Sequence, residues 1–187
     1  IQWLRDGLGL IADSAESEAL ARSVSDTGGV AFVPAFAGLG TPYWVPEARG
    51  AMFGLTRGTE TAHIVRAAPE AMACGTVDVI TAMTQSAEVP LGRFRADGGA
   101  AANDWLMQFQ SDLLGLDVYR PEANELTAIG AAGLAGVGSG FWSRPEEFLG
   151  ALGEESVFSP GEDAEDTRDR VMTEWRRAIR AVIGWSE

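Results

Sequence analysis

Lysine is absent from this sequence: all 14 strongly basic side chains are arginines, and a single histidine, His63, accompanies them. A lysine-dependent phosphate loop, a Schiff-base lysine and the phosphate-binding lysine of protein kinases are therefore excluded within this segment. One cysteine, Cys74, excludes an intrachain disulfide and a multi-cysteine zinc site. One histidine leaves little for a hydrolase triad or a histidine metal site. Any chemistry here depends on backbone groups, carboxylates, amides, hydroxyls and arginines.

Positive charge and long apolar runs are also scarce. The 27 acidic residues outnumber the 14 arginines, and the resulting net charge of −13 argues against nucleic acid and anionic membranes as partners. No apolar run is long enough to span a bilayer and no signal peptide opens the chain, so we expect a cytoplasmic protein. Residues 1–6 resemble the interior of a protein, and we expect a fragment of a longer chain.

The hydrophobic pattern predicts helices that alternate with strands. A hydrophobic content of 46% in 187 residues is enough for a sizeable core. Strands are predicted at residues 30–36, 50–55, 91–96 and 118–120, and helices at about 61–83, 104–114 and 125–137. The tract 30–55 is interpreted as an antiparallel pair, so we expect an α/β domain with a mixed sheet and flanking helices. We expect this domain to cover residues 1–160, with a carboxy-terminal helix in residues 161–187 packed on it.

Two residues interrupt the long helix predicted at 61–83. Pro69 lies beyond its first turn and removes a hydrogen bond, and Gly75 disfavours the helix further. We therefore expect the helix to be bent or broken at Pro69. Alternatively the helix begins later and Pro69 occupies its first turn, where proline is favoured. His63 is expected to cap the start of this helix rather than to act in catalysis.

Residues 97–103, Asp-Gly-Gly-Ala-Ala-Ala-Asn, form the most informative segment of the chain. They lie between the predicted strand at 91–96 and a strongly periodic helix. Two glycines at such a turn leave no Cβ to hold a ligand away from the backbone, and the helix start offers free N–H groups and a partial positive charge. This arrangement suits a nucleotide contact. The alternative is an ordinary connection between a strand and a helix, in which Asn103 or Asp104 caps the helix.

Three segments together carry a resemblance, and a fourth continues it. The sequence reads FVPAFAGLGTPYW at 32–44, ARGAMFGLTRG at 48–58 and DGGAAANDWLMQFQ at 97–110, with LTAIGAA at 126–132 later in the chain. In this order the segments resemble the carboxy-terminal domain of the glycerol kinases, within the FGGY family of carbohydrate kinases. The likeness covers nearly the whole chain. The GLGTPYW form favours glycerol over a sugar as the substrate, because pentulose kinases more often have a Glu-Arg-Thr-Pro type there.

The resemblance implies a ribonuclease-H-like, actin-like ATPase fold that lacks its first strands in this chain. It places Gln2, Gly99 and Asn103 at nucleotide-contact positions, with Gly98 and Ala100 in the same turn. It implies ATP and magnesium as cofactors and glycerol as the small-molecule substrate, and a homo-oligomer is compatible with it. The catalytic aspartate, the glycerol site and the magnesium ligands are expected upstream of this chain. No catalytic or metal-binding residue is assigned within it, and the chain alone is expected to be inactive.

Two alternatives to a glycerol kinase segment stay open. The first is the same domain from a relative that acts on another polyol or sugar, a choice that the substrate-binding half would decide. The second is a non-catalytic remnant that binds a nucleotide or a partner protein, which the departures at Pro69 and Gly75 favour.

Overall fold

The computed structural model describes residues 1–87, 91–123, 125–149 and 155–186. Its helices are α1 (Gln2–Asp6), α2 (Glu16–Ser23), α3 (Thr61–Ala87), α4 (Asp104–Leu114), α5 (Leu126–Gly138), α6 (Pro145–Leu149) and α7 (Ala164–Ser186), with a 3₁₀ turn at Gly99–Ala102. Its strands are β1 (Ala31–Val33), β2 (Ala51–Phe53), β3 (Phe94–Arg95), β4 (Val118–Pro121) and β5 (Glu155–Phe158). The predicted α/β class is confirmed.

The described strands form two sheets. β1 and β2 pair in antiparallel fashion, with Phe32 opposite Met52, as the sequence predicts for residues 30–55. In the second sheet β4 lies between β3, which is parallel to it, and β5, which is antiparallel. The mixed sheet is therefore confirmed, although the antiparallel pair β1–β2 belongs to the other sheet. The third strand of the mixed sheet, β5, is not predicted from the sequence.

The main core lies where α3, α4 and α7 pack together. The buried residues of this cluster include Cys74, Val77, Leu106, Phe109, Leu113, Val118, Val171, Trp175, Ile179 and Val182. Burial of a large apolar side chain contributes about 1.5–3 kcal/mol, so this cluster contributes substantially to the stability of the domain. In the described part of the chain, none of the helices is both long enough and apolar enough to cross a membrane.

The helix α3 is continuous from Thr61 through Pro69. The expected break at Pro69 is therefore wrong, and so is the alternative in which the helix begins near Pro69; a bend of the helix at Pro69 stays a prediction. The Pro69 side chain is less than 2% exposed, so tertiary packing holds the helix together where local propensity disfavours it.

At the start of α3, His63 Nδ1 accepts a hydrogen bond from the Glu60 N–H at 3.0 Å, which confirms the capping role.

Because α3 is continuous, we expect Pro69→Leu to stabilise the protein. The substitution restores an N–H that can donate to the Val65 carbonyl, a gain of about 1–3 kcal/mol. A cavity of about 560 Å³ borders Pro69 and has room for the larger side chain. Thermal unfolding followed by circular dichroism should show a higher Tm. Gly75→Ala is a matched control, because its Cβ would meet no atom within 4 Å, and it should add about 0.5–1 kcal/mol. A lower Tm for Pro69→Leu would mean that steric crowding outweighs the restored hydrogen bond.

Candidate functional site

A cavity of about 560 Å³ lies between the first two helices, α3 and the start of α4. Its wall is formed by Ile1, Gln2, Ser14, Ala15, Ser17, Glu18, Pro69, Met72, Gly99, Ala100, Ala102, Asn103 and Leu106. Four of the five predicted site residues, Gln2, Gly99, Ala100 and Asn103, thus border one space although about 100 positions separate the first from the others. Gly98 precedes the 3₁₀ turn and is not part of the wall. This volume lies within the range of about 300–1,000 Å³ that is typical of small-molecule sites.

The Gly98-Gly99 turn reaches the cavity wall at Gly99. The strand before it is fixed by the Ala96 N–H, which donates to the Tyr119 carbonyl at 2.9 Å. Gly98 has a φ of 83°, in the left-handed region that favours glycine. Gly99 lines the cavity, and a Cβ added there would meet no protein atom within 4 Å. A side chain at position 99 would therefore take space from a ligand rather than from the fold.

Asn103 combines a structural role with a free donor. Its Oδ1 accepts a hydrogen bond from the Leu106 N–H at 2.8 Å, so Asn103 is the N-cap of α4. The capping interpretation is confirmed. Its Nδ2 donates to no atom of the described residues, and because Asn103 lines the cavity this amide can donate to a ligand.

Glu18 is the only charged side chain among the described residues of the cavity wall. Its Oε2 accepts a hydrogen bond from the Asp104 N–H at 3.2 Å, and its Oε1 pairs with Arg22 at 2.8 Å. Sequence reasoning missed this residue, because a Glu and an Arg four positions apart are typical of a solvated helix face. The contact that brings Glu18 to the start of α4 spans 86 positions of the chain.

Arg66 holds the wall of the cavity in place. It pairs with Glu70 at 2.9 Å, and these side chains are only 11% and 14% exposed. Its guanidinium also donates to the carbonyls of Ala21 and Val24, at the end of α2, at 3.0 and 2.5 Å. It lies 4.9 Å from the centre of the Trp105 ring, on α4. Burial raises the pKa of Glu70, while Arg66 acts in the opposite direction.

Asp78 on α3 ties a glycine-rich loop to the core. Its Oδ2 accepts hydrogen bonds from the Tyr43 hydroxyl at 2.7 Å and from the Trp175 indole N–H at 2.5 Å. Burial and the neighbouring carboxylate both raise the pKa of Tyr43. The loop at 37–49 is therefore joined to α3 and α7 through one carboxylate. This group lies outside the cavity wall and is structural.

A second cavity, of about 260 Å³, lies between α3, α7 and β1. Asp26, Glu70, Cys74 and Arg170 contribute to its wall, and none of the predicted site residues does. Burial raises the pKa of the Cys74 thiol, which is 2% exposed and behaves as a small apolar group.

Within the described ranges, no group of three or more His, Cys, Asp or Glu side chains is placed to hold a metal ion.

The sequence pattern of the FGGY family of carbohydrate kinases, C-terminal domain, matches residues 1–139 of this chain. The chain belongs to this family. It is similar to the glycerol kinase of Aromatoleum aromaticum, with 56% identity over 185 residues, which cover 99% of this chain and 37% of that relative. The glycerol kinase of Bordetella parapertussis is 52% identical over 186 residues, which cover 100% of this chain and 36% of that protein. The chain thus spans little more than a third of the length of these relatives.

Solved structures show the same family fold. The crystal structure of Plasmodium falciparum glycerol kinase with ADP has a TM-score of 0.84 and 32% identity, over 97% of this chain and 36% of that one. Xylulose kinase from Rhodospirillum rubrum has a TM-score of 0.80 and 25% identity, over 99% of this chain and 38% of that one. The predicted actin-like ATPase fold is confirmed.

Proposed function

We propose that this chain is the nucleotide-binding, carboxy-terminal part of a glycerol kinase, which converts ATP and glycerol to ADP and glycerol 3-phosphate. The observation that carries the proposal is the single cavity bordered by Gln2, Gly99, Ala100 and Asn103. Relatives named glycerol kinase support the substrate, because they are 50–56% identical over almost the entire chain. We also propose that residues 1–160 form the kinase domain, with the helix of residues 161–187 packed on it, in a cytoplasmic enzyme.

Each proposed contact has a chemical reason. Gly99 lets the ligand approach the backbone, because it has no Cβ. The space that a Cβ would occupy holds no protein atom within 4 Å and is open to a ligand. The free Nδ2 of Asn103 donates to an acceptor on the base, and the Gln2 amide offers both a donor and an acceptor. We assign Gly98 and Ala100 to the backbone turn that holds Gly99 in position.

The phosphates and the substrate require groups beyond this cavity. Phosphoryl transfer depends on positioning and on neutralising charge, with magnesium on the phosphates and a carboxylate that accepts the hydroxyl proton. The described residues do not fit a magnesium site, since the one acidic side chain in the wall already binds Arg22 and a backbone N–H. We therefore propose that the magnesium ligands, the catalytic carboxylate and the glycerol site lie in the part of the relatives that this chain does not span. The chain alone should then consume no ATP in the presence of glycerol.

One related function has specific support. The xylulose kinase of Rhodospirillum rubrum shares the fold over 99% of the chain, so a sugar kinase would use the same nucleotide cavity. The higher identity to glycerol kinases favours glycerol. A non-catalytic remnant is less well supported, because α3 is continuous through both Pro69 and Gly75.

The nucleotide site is tested by Gly99→Val and Asn103→Asp. Valine at position 99 should weaken ADP binding by more than roughly tenfold, because its branched side chain fills ligand space, and should leave the Tm nearly unchanged. Aspartate at position 103 keeps the N-cap but loses the Nδ2 donor, so ADP affinity should fall roughly 2- to 150-fold at similar stability. Calorimetric titration of the 187-residue chain with ADP measures both effects.

Asn103→Ala separates the cap from the ligand contact. It removes both, so it should weaken ADP binding like aspartate and also lower stability by about 0.5–2 kcal/mol. Gly92→Val serves as a control for adding a branched side chain at an open glycine, because position 92 is not in the cavity wall. If both Gly99→Val and Asn103→Asp leave the ADP affinity unchanged, the turn is an ordinary strand–helix connection without a role in nucleotide binding.

A further inference from the structure

The charges around the nucleotide cavity are arranged unevenly. Glu18 supplies the one charged side chain among the described residues of the wall, and no arginine faces the space from that wall. Its carboxylate lies beside the start of α4, because it accepts a hydrogen bond from the Asp104 N–H at 3.2 Å. Position 104 follows Asn103 directly, so Glu18 and Asn103 lie at the same end of the cavity.

This arrangement orients a nucleotide. Ionised phosphate oxygens only accept hydrogen bonds, so the Glu18 carboxylate does not match them, although Arg22 offsets its charge at 2.8 Å. Gly99, at the other end of the 3₁₀ turn, borders the cavity and leaves open space there. A nucleotide with its phosphates towards the glycines has its base towards Asn103 and Glu18. The group that meets the carboxylate is then an edge of the base.

We propose that Glu18 selects the base of the nucleotide: it accepts a hydrogen bond from the exocyclic amino group of adenine and excludes a base with a carbonyl oxygen at that ring position. This inference rests on the proposed nucleotide site. An ionised carboxylate only accepts hydrogen bonds, so the amino group of adenine is a matching donor for it. The carbonyl oxygen of hypoxanthine or guanine is itself an acceptor, and it forms no hydrogen bond with the carboxylate. A site built to hydrogen-bond one polar group discriminates against a ligand that lacks it, because the mismatch leaves polar groups unpaired.

The position of Glu18 is well defined for this task. Arg22 donates two hydrogen bonds to Oε1, and the Asp104 N–H donates one to Oε2, so Oε2 is the oxygen that retains a lone pair for a ligand. The side chain is 28% exposed and belongs to the cavity wall. α2 itself is fixed by the hydrogen bonds from Arg66 to Ala21 and Val24. The carboxylate is thus held in place before a ligand arrives.

The test compares ADP with inosine diphosphate, which differs at this position by a carbonyl in place of the amino group. We expect the 187-residue chain to prefer ADP by roughly 5- to 150-fold in calorimetric titrations. In Glu18→Gln the amide oxygen can face Arg22, so that the NH2 group takes the place of Oε2 and donates to the carbonyl, with loss of the hydrogen bond from the Asp104 N–H. The preference should fall to less than about threefold, mainly because inosine diphosphate binds more tightly. Glu16→Gln removes the same charge from the same helix outside the cavity wall, and should keep the preference of the unchanged chain.

The possible results separate this inference from the proposed function. If ADP binds but Glu18→Gln leaves the preference unchanged, or weakens both ligands equally, Glu18 only supports α4 and the inference is overturned. If Glu18→Gln instead changes the ratio between ADP and its 2′-deoxy form, the carboxylate contacts the ribose and the assignment to the base is wrong. If the folded chain binds no ADP, the proposed function fails and this inference fails with it.

Discussion

Gly54→Ala should destabilise the protein severely. Gly54 follows β2 with a φ of 78°, a conformation that side chains resist. A Cβ at this position would overlap the carbonyl oxygen of Gly29, a backbone atom that cannot rotate away. Backbone strain and overpacking each contribute about 1–3 kcal/mol, so the expected loss is roughly 2–6 kcal/mol. This is a large share of the about 5–15 kcal/mol of a typical domain.

Gly58→Ala is the matched control for this substitution. It lies in the same loop, and its Cβ would meet only the Thr56 Oγ1, at an ordinary contact distance of 3.7 Å. Urea unfolding followed by circular dichroism should show a much lower midpoint for Gly54→Ala and a nearly unchanged one for Gly58→Ala. Equal midpoints for Gly54→Ala and the unchanged chain would mean that the two loops separate without loss, so that the close approach of Gly29 and Gly54 does not support the fold.

Arg66→Leu should have an effect of similar size. It leaves Glu70 buried without its partner, and breaking a buried ion pair in this way typically costs about 3–5 kcal/mol. It also removes the two hydrogen bonds to the end of α2 and the contact with the Trp105 ring. Because α2 carries part of the cavity wall, ADP binding should weaken together with the free energy of unfolding.

Two comparisons identify the cause of that loss. Arg22→Leu breaks an ion pair whose side chains are 54% and 28% exposed, and should cost less than about 1 kcal/mol. The double substitution of Arg66 and Glu70 by leucine removes both charges and should recover part of the stability, because a hydrophobic pair can replace a buried ion pair. An Arg66→Leu loss no larger than that of Arg22→Leu would show that the buried pair does not hold α2 in place.

Much of the candidate site could be predicted from the sequence because its signals are local. Two glycines followed by a capping residue mark a strand–helix turn whatever surrounds them, and the structure has Asn103 as the N-cap of α4. Gln2 is different, because its pattern alone indicates an exposed helix residue. Only the family resemblance singled it out, and the structure brings it to the same cavity as Gly99. Glu18 was not predicted as a site residue, since its hydrogen-bond partner Asp104 is 86 positions away in the sequence.

The sequence by itself determined the α/β class, the antiparallel pairing of β1 and β2, the turn at Gly98-Gly99 and the absence of lysine chemistry, because each depends on composition or on segments close together in the chain. Tertiary structure alone decided the continuity of α3 through Pro69, where burial outweighs helix propensity. It also decided the strand β5, which is four residues long and pairs along its full length with β4. The charge of the cavity wall was likewise set by long-range packing. Contacts between distant segments fix these features, and no local pattern encodes which segments meet.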